Sequence, residues 1–309
     1  MWPSSDSNGG EPHVFNVDKL QDLLGVHAEL MEETVRRDEA LLYLLYSPVY
    51  REKKAPFDLQ GTPSSHAVAV TSNRLIISED QHRKGIVPTV QSIPFNQVLY
   101  VELGSAPPLG WFSVESAVDD KPSCVTLFFP AETGMKHFGT AVRRYRGVVG
   151  PYYHPLPAEA IEWPEVWRSA PRTMTDHLEP LVLPGELAFN LLRSSERWMT
   201  RKTRRRTIPA CLSTNGFLLS TNFGFIHTTE DQPGDRPARL AVKVSCIPVS
   251  SVRSARIIEK RMYGNRVLAL KHEMTRGGVT IEFDMPFDDS SLTDAEALVY
   301  FLTKNMGGG

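Results

Sequence analysis

Cysteine is scarce in this 309-residue chain, and the three present, Cys124, Cys211 and Cys246, form no Cys-x-x-Cys pair and flank no histidine doublet. That spacing argues against a zinc centre. All three sit in apolar, strand-like contexts and read as small buried hydrophobes, with a disulfide between Cys211 and Cys246 left open. No apolar run approaches the roughly 20 residues a bilayer-spanning helix needs. Met1-Trp2-Pro3-Ser4-Ser5-Asp6 lacks the basic-then-apolar layout of a secretory signal, so a cytoplasmic location is expected, peripheral to a membrane at most. Catalytic signatures are missing too: there is no Gly-x-Ser-x-Gly elbow, His-Glu-x-x-His pair, Walker loop or Gly-x-Gly-x-x-Gly turn. His66, His137, His227 and His272 are scattered, with no carboxylate pairing legible from their spacing, and read as structural imidazoles. The expectation is a protein that is not an enzyme and uses neither cofactor nor metal.

What is present is an ordinary globular balance, 41% apolar and 23% charged, with the charge unevenly placed. Residues 181–276 carry 17 Lys and Arg against 7 Asp and Glu, whereas residues 1–180 carry 16 against 23. Such an asymmetry speaks to partners rather than to fold.

One pattern occurs twice. Val70-Thr71-Ser72-Asn73-Arg74-Leu75-Ile76-Ile77-Ser78 has a small polar turn between two apolar runs, the form of a β-hairpin. Leu212-Ser213-Thr214-Asn215-Gly216-Phe217-Leu218-Leu219-Ser220 reads as its second copy, with Asn215-Gly216 as the turn. A second pairing, Thr228-Thr229-Glu230-Asp231 with Ser78-Glu79-Asp80, leaves the register ambiguous by one hairpin arm. Ile93-Pro94 and Ile247-Pro248 follow the two copies. The chain then divides into a tail and amphipathic helix over 1–37, a first repeat over 38–148, a Pro- and Trp-rich connector over 149–180, and a second repeat over 181–309. Leu20, Leu23, Leu24, His27, Leu30, Met31 and Val35 predict one helix from Val17 onward. Helices starting at Thr133 and near Ser291 close the repeats, the first stopping at Gly147. The connector is expected to hold at most one short helical piece, with Trp163 and Trp167 on one face. The second repeat has an extra segment, placed at about Thr221 to Arg239.

This order resembles the pleckstrin-homology superfold, and more narrowly its bacterial PH and GRAM branch. The likeness rests on the acidic-led first strands (Asp38-Glu39 and Pro184-Gly185-Glu186), the hairpin turns, the Ile-Pro strand starts and the two closing helices. It implies a mainly β, α+β protein of two split β-barrels, each closed by a C-terminal amphipathic helix. Curling the strands hides their edges, and the helix covers an open end.

The sharpest functional signal is a basic cluster before the second hairpin: Arg197, Trp198, Arg201, Lys202, Arg204, Arg205 and Arg206. In phosphoinositide-binding members of the resembled family a Lys/Arg-rich first hairpin loop holds the headgroup, and Lys202 and Arg204 match its spaced basic element. Clustered Lys and Arg attract anionic lipid, at about 1 kcal/mol per residue near the surface, and Trp198 can enter the interface. The expected role is a scaffold or interaction module, with a protein partner or self-association and an anionic-membrane contact through the second repeat. A dedicated phosphoinositide sensor is the alternative. Nucleic acid, whose phosphates the same residues would bind, or an enzyme on this scaffold ranks behind.

Overall fold

The computed structural model describes residues 13–49, 64–83, 85–150, 160–202, 207–231 and 241–306. Runs of β-branched and aromatic residues fold as strands, giving a mainly β, α+β architecture. β1 (Phe15–Asn16) precedes α1 (His27–Thr34). The single long helix expected from Val17 does not form: Gly25 at φ +63° breaks it, and Leu20–Asp22 makes only a 3-10 turn. β2 (Leu41–Ser47), β3 (Ser65–Thr71), β4 (Arg74–Asp80) and β5 (Thr89–Pro94) follow. Next come β6 (Val98–Ala106), β7 (Leu109–Val118), β8 (Lys121–Pro130) and α2 (Ala131–Val149). α2 runs through Gly147 and ends at Gly150, whose φ of 88° suits glycine.

The connector holds two helices rather than one piece, α3 (Trp163–Ser169) and α4 (Arg172–Leu178). Trp163 and Trp167 stack with ring centroids 5.0 Å apart, as their four-residue spacing predicts. β9 (Ala188–Ser194), β10 (Arg197–Lys202), β11 (Thr207–Ser213), β12 (Gly216–Thr221), β13 (Gly224–Asp231) and β14 (Ala241–Ile247) follow. β15 (Val252–Met262), β16 (Asn265–Arg276), β17 (Val279–Phe287) and α5 (Leu292–Met306) complete the order.

Among the described residues four sheets form, none closed into a barrel. One runs β1-β2-β3-β4-β5 and one β15-β16-β17, and β10 pairs with β11 alone. The fourth runs β8-β7-β6-β14-β13-β12-β9, so strands from both sides of the connector share one sheet across an antiparallel β6–β14 joint.

The register of the second hairpin differs from the expectation. Asn215-Gly216 is not a hairpin turn, because β11 pairs with β10 while β12 pairs with β9 and β13. The true counterpart of Thr71-Ser72-Asn73-Arg74 is Thr221-Asn222-Phe223-Gly224. Thr71 Oγ1 donates to the Arg74 carbonyl and accepts from the Asn73 amide; Thr221 Oγ1 does the same with Gly224 and Phe223. Arg74 then faces Pro94, and Leu75 faces Ile93 as Phe225 faces Ile247. Both first strands shift register at matching places, after Leu41 and at Ala188. The extra segment is thus the β10–β11 ribbon, and β13 belongs to the common pattern.

Among the described residues three apolar cores result. The largest joins the inner side of the first repeat (Val68, Ile77, Leu103, Phe138) to Val242, Val244 and Cys246 of β14 and to α4. A second lies between β15–β17, α5 and the inner side of β12–β14. The third, smallest, packs Met31 of α1 on Ala67, Ala69 and Ile76. All three cysteines are free: Cys246 is buried, Cys211 half-buried and Cys124 exposed, which corrects its expected burial.

Candidate functional site

The basic cluster folds as the ribbon. Leaving β9, the chain forms β10, returns as β11 and rejoins the sheet at β12, with Arg201 opposite Ile208 and Lys202 opposite Thr207. Its base is held by polar contacts: Ser213 Oγ donates to the Ser195 carbonyl at 2.6 Å and Ser194 Oγ to the Thr214 carbonyl at 2.8 Å. Arg197 reaches back to Asp288 at 3.2 Å, so its charge is already paired. Trp198 is 39% exposed, with its indole N–H donating to Glu196. For Arg201 and Lys202 the backbone alone is described, and Arg204, Arg205 and Arg206 lie outside the described residues. The corresponding loop of the first repeat, with Arg51, Lys53 and Lys54, also lies outside them. β15 carries Arg253 and Arg256, both exposed, Arg256 lying 3.5 Å from Glu273.

Two further clusters were not legible from spacing. Ser65 Oγ lies 2.7 Å from His82 Nε2, and His82 Nδ1 lies 3.3 Å from Asp80. This is the order of a nucleophile, base and carboxylate. Yet Ser65 is only 1% exposed, and its hydroxyl is shared with His27 Nε2 at 2.9 Å, while His27 Nδ1 meets Ser78 Oγ at 2.7 Å. The hydroxyl is therefore a buried link that fastens α1 to the sheet. Burial pushes the His27 imidazole down to about 4 and that of His66 to about 3, so both are neutral near pH 7.

The second cluster is a cleft of about 190 Å³ at the end of the second repeat, lined by Ser194, Thr214, His227, Thr229, Phe283 and Met285 among others. His227 packs edge-on to Phe283 at 4.5 Å, and both its ring nitrogens are buried without a hydrogen-bond partner among the described residues. Burial holds its pKa well below the usual range. The charged groups at the rim are engaged, Lys243 with Glu102 and Asp284 with Lys260. The cleft therefore presents an uncharged imidazole and hydroxyls, and among the described residues the charged groups that line it are already engaged. Among the described residues no group of His, Cys, Asp and Glu is arranged to hold a metal, and no helix is long and apolar enough to cross a membrane. No protein-family model matches the chain, and no curated protein matches it.

Proposed function

We propose that the chain is a non-enzymatic, PH-like interaction scaffold whose second repeat contacts an anionic surface through the β10–β11 ribbon. The PH-like reading is supported by the order of elements, written twice: four antiparallel strands, three antiparallel strands, then a helix laid against them. One observation carries the functional reading. Among the described residues the ribbon pairs with itself rather than with either large sheet, and its first strand carries the exposed Trp198 in the most arginine-rich stretch of the sequence, with Arg201 and Lys202 on the same strand. Cationic side chains beside an exposed aromatic are the combination that a lipid headgroup region accommodates.

Co-sedimentation with vesicles of phosphatidylcholine, with and without phosphatidylserine, tests the reading. Binding is expected only with the anionic lipid, and Arg204→Glu with Arg205→Glu abolishes it. Unchanged sedimentation of that double variant would remove the ribbon from the reading. Saturable binding to a phosphoinositide but not to phosphatidylserine would favour the dedicated sensor.

A further inference from the structure

The joint between the repeats is not symmetric, and its asymmetry leaves two matching ends unused. β6 opens the three-stranded part of the first repeat, and β14 ends the four-stranded part of the second. By the repeat correspondence, β6 answers to β15 and β14 answers to β5. β6 and β15 carry the same irregularity, a register shift just after Val98 and just after Val252. Both unused strands are sheet edges: among the described residues β15 pairs only with β16, and β5 only with β4. We propose that a second copy of this chain makes the missing joint, β15 of one copy pairing antiparallel with β5 of the next.

The internal joint supplies the register. There Cys246, Ser245 and Val244 oppose Val101, Glu102 and Leu103. Their counterparts put Ser92, Gln91 and Val90 of one copy opposite Ala255, Arg256 and Ile257 of the other. Val244 and Leu103 are fully buried where they meet, whereas Val90 and Ile257 are only half-buried. The cores tell the same story. The internal joint fuses the inner side of one repeat with the outer side of the other into the largest core. Ile257 packs at the margin of the second core and Val90 at the margin of the third, and the chain leaves these two apart. The proposed pairing would join them.

One substitution sets the strength. Leu99, fully buried in the second core, has Arg253 as its counterpart, and Arg253 is exposed. The joint between copies therefore lacks the apolar plug of the internal one, and the charges along β15 oppose indiscriminate edge pairing. Association is concentration-dependent rather than obligate. Because the two surfaces differ, it is head-to-tail and grows into rings or filaments. The inference rests on the scaffold part of the proposed function and does not involve the ribbon.

Sedimentation velocity of the full chain over a concentration series tests it. Wild type should rise in average mass with concentration. Val90→Lys and Ile257→Lys should each stay at the monomer mass. Their equimolar mixture should give a species of twice that mass, because each retains the edge the other has lost. Wild type that stays monomeric throughout, variants that associate as wild type does, or a mixture that stays monomeric would each overturn the proposal. If either variant lowers the melting temperature, Thr89→Lys and Arg256→Glu, both at exposed side chains, repeat the mixing test. Anionic-vesicle binding measured on the same variants keeps the two readings apart, since edge variants should leave it intact at the monomer level.

Discussion

Glu39 and Glu186 hold the same place in the two halves of the chain, two residues before Leu41 and Ala188, yet they are neutralised from different directions. Glu39 meets Arg74 of its own repeat at 2.9 Å, and Arg74 also reaches Ser92 and the Thr34 carbonyl. In the second half glycine replaces that arginine, at Gly224. Glu186 instead takes Arg146 from α2 of the first half, a pair 3% and 0% exposed. Around it, Arg146 donates to the Leu181 carbonyl at 2.6 Å and the Leu183 amide donates to Glu186 at 2.8 Å. The same acidic position thus fixes the hairpin and α1 in one half, and bolts the two halves together in the other.

Breaking the second pair should have the largest effect. Arg146→Met leaves a carboxylate buried and uncompensated, and a loss of about 3–5 kcal/mol in denaturant unfolding is expected. Adding Glu186→Leu should restore much of it, because replacing both partners removes the unpaired charge. If the double variant is no more stable than Arg146→Met alone, the pair is not coupled as described. Arg74→Met should cost less, about 1–3 kcal/mol, since Arg74 sits nearer solvent at 10% side-chain exposure. Equal losses at Arg74 and Arg146 would erase the distinction between a local clamp and a bolt.

These pairs also show where reading the sequence stops. The acidic lead-in to each first strand was legible, as were the closing helices and the stacked tryptophans, because each is a local pattern with a local cause, whereas the Ile-Pro pairs read as strand starts in fact end β5 and β14, each followed by a 3-10 turn. The partners were not. Arg146 is one of many basic residues on a helix, and only packing brings it to Glu186. Asn215-Gly216 reads as a hairpin turn by any local rule, and it misled because an inserted ribbon separates it from the strand it should pair with. Its side chain serves as a corner instead, accepting from the Glu196 amide at 2.9 Å and donating to Glu230 at 2.7 Å. The basic cluster was visible as composition, but the pairing of Arg197 with Asp288, distant in the chain, was not.

Acid separates the halves by another route. In the first, His27 is held by two serines; in the second, His227 and His272 crowd Phe283. Burial lowers the pKa of His27 and of His272 to about 4, against about 6.5 in the unfolded chain. Between those values the unfolded state binds a proton that the native state does not. Stability therefore falls as pH drops from about 6.5 towards 4, by at most about 1.4 kcal/mol per pH unit for each such histidine. His27→Gln should flatten this limb while costing stability at pH 7, where the serine bonds are lost. His227→Leu should flatten it at little or no cost at pH 7, since no hydrogen bond of His227 is given up. Unfolding curves at pH 7 and pH 5 decide it, and an equal penalty at pH 7 for both variants would contradict the contrast.

The smallest effects test the repeat itself. Thr71 and Thr221 close their hairpins with the same pair of hydrogen bonds, one to a carbonyl three residues on and one from an amide two residues on. Thr71 also accepts from the Arg74 amide. Thr71→Val and Thr221→Val keep the shape and remove these bonds, so each should cost about 1 kcal/mol, and the two losses should add because the sites share no partner. Thr214→Val should cost less, because its side chain makes no such turn: Thr214 contributes its backbone carbonyl to Ser194. A larger loss at Thr214 than at Thr221 would return the hairpin to the register that the sequence alone favoured.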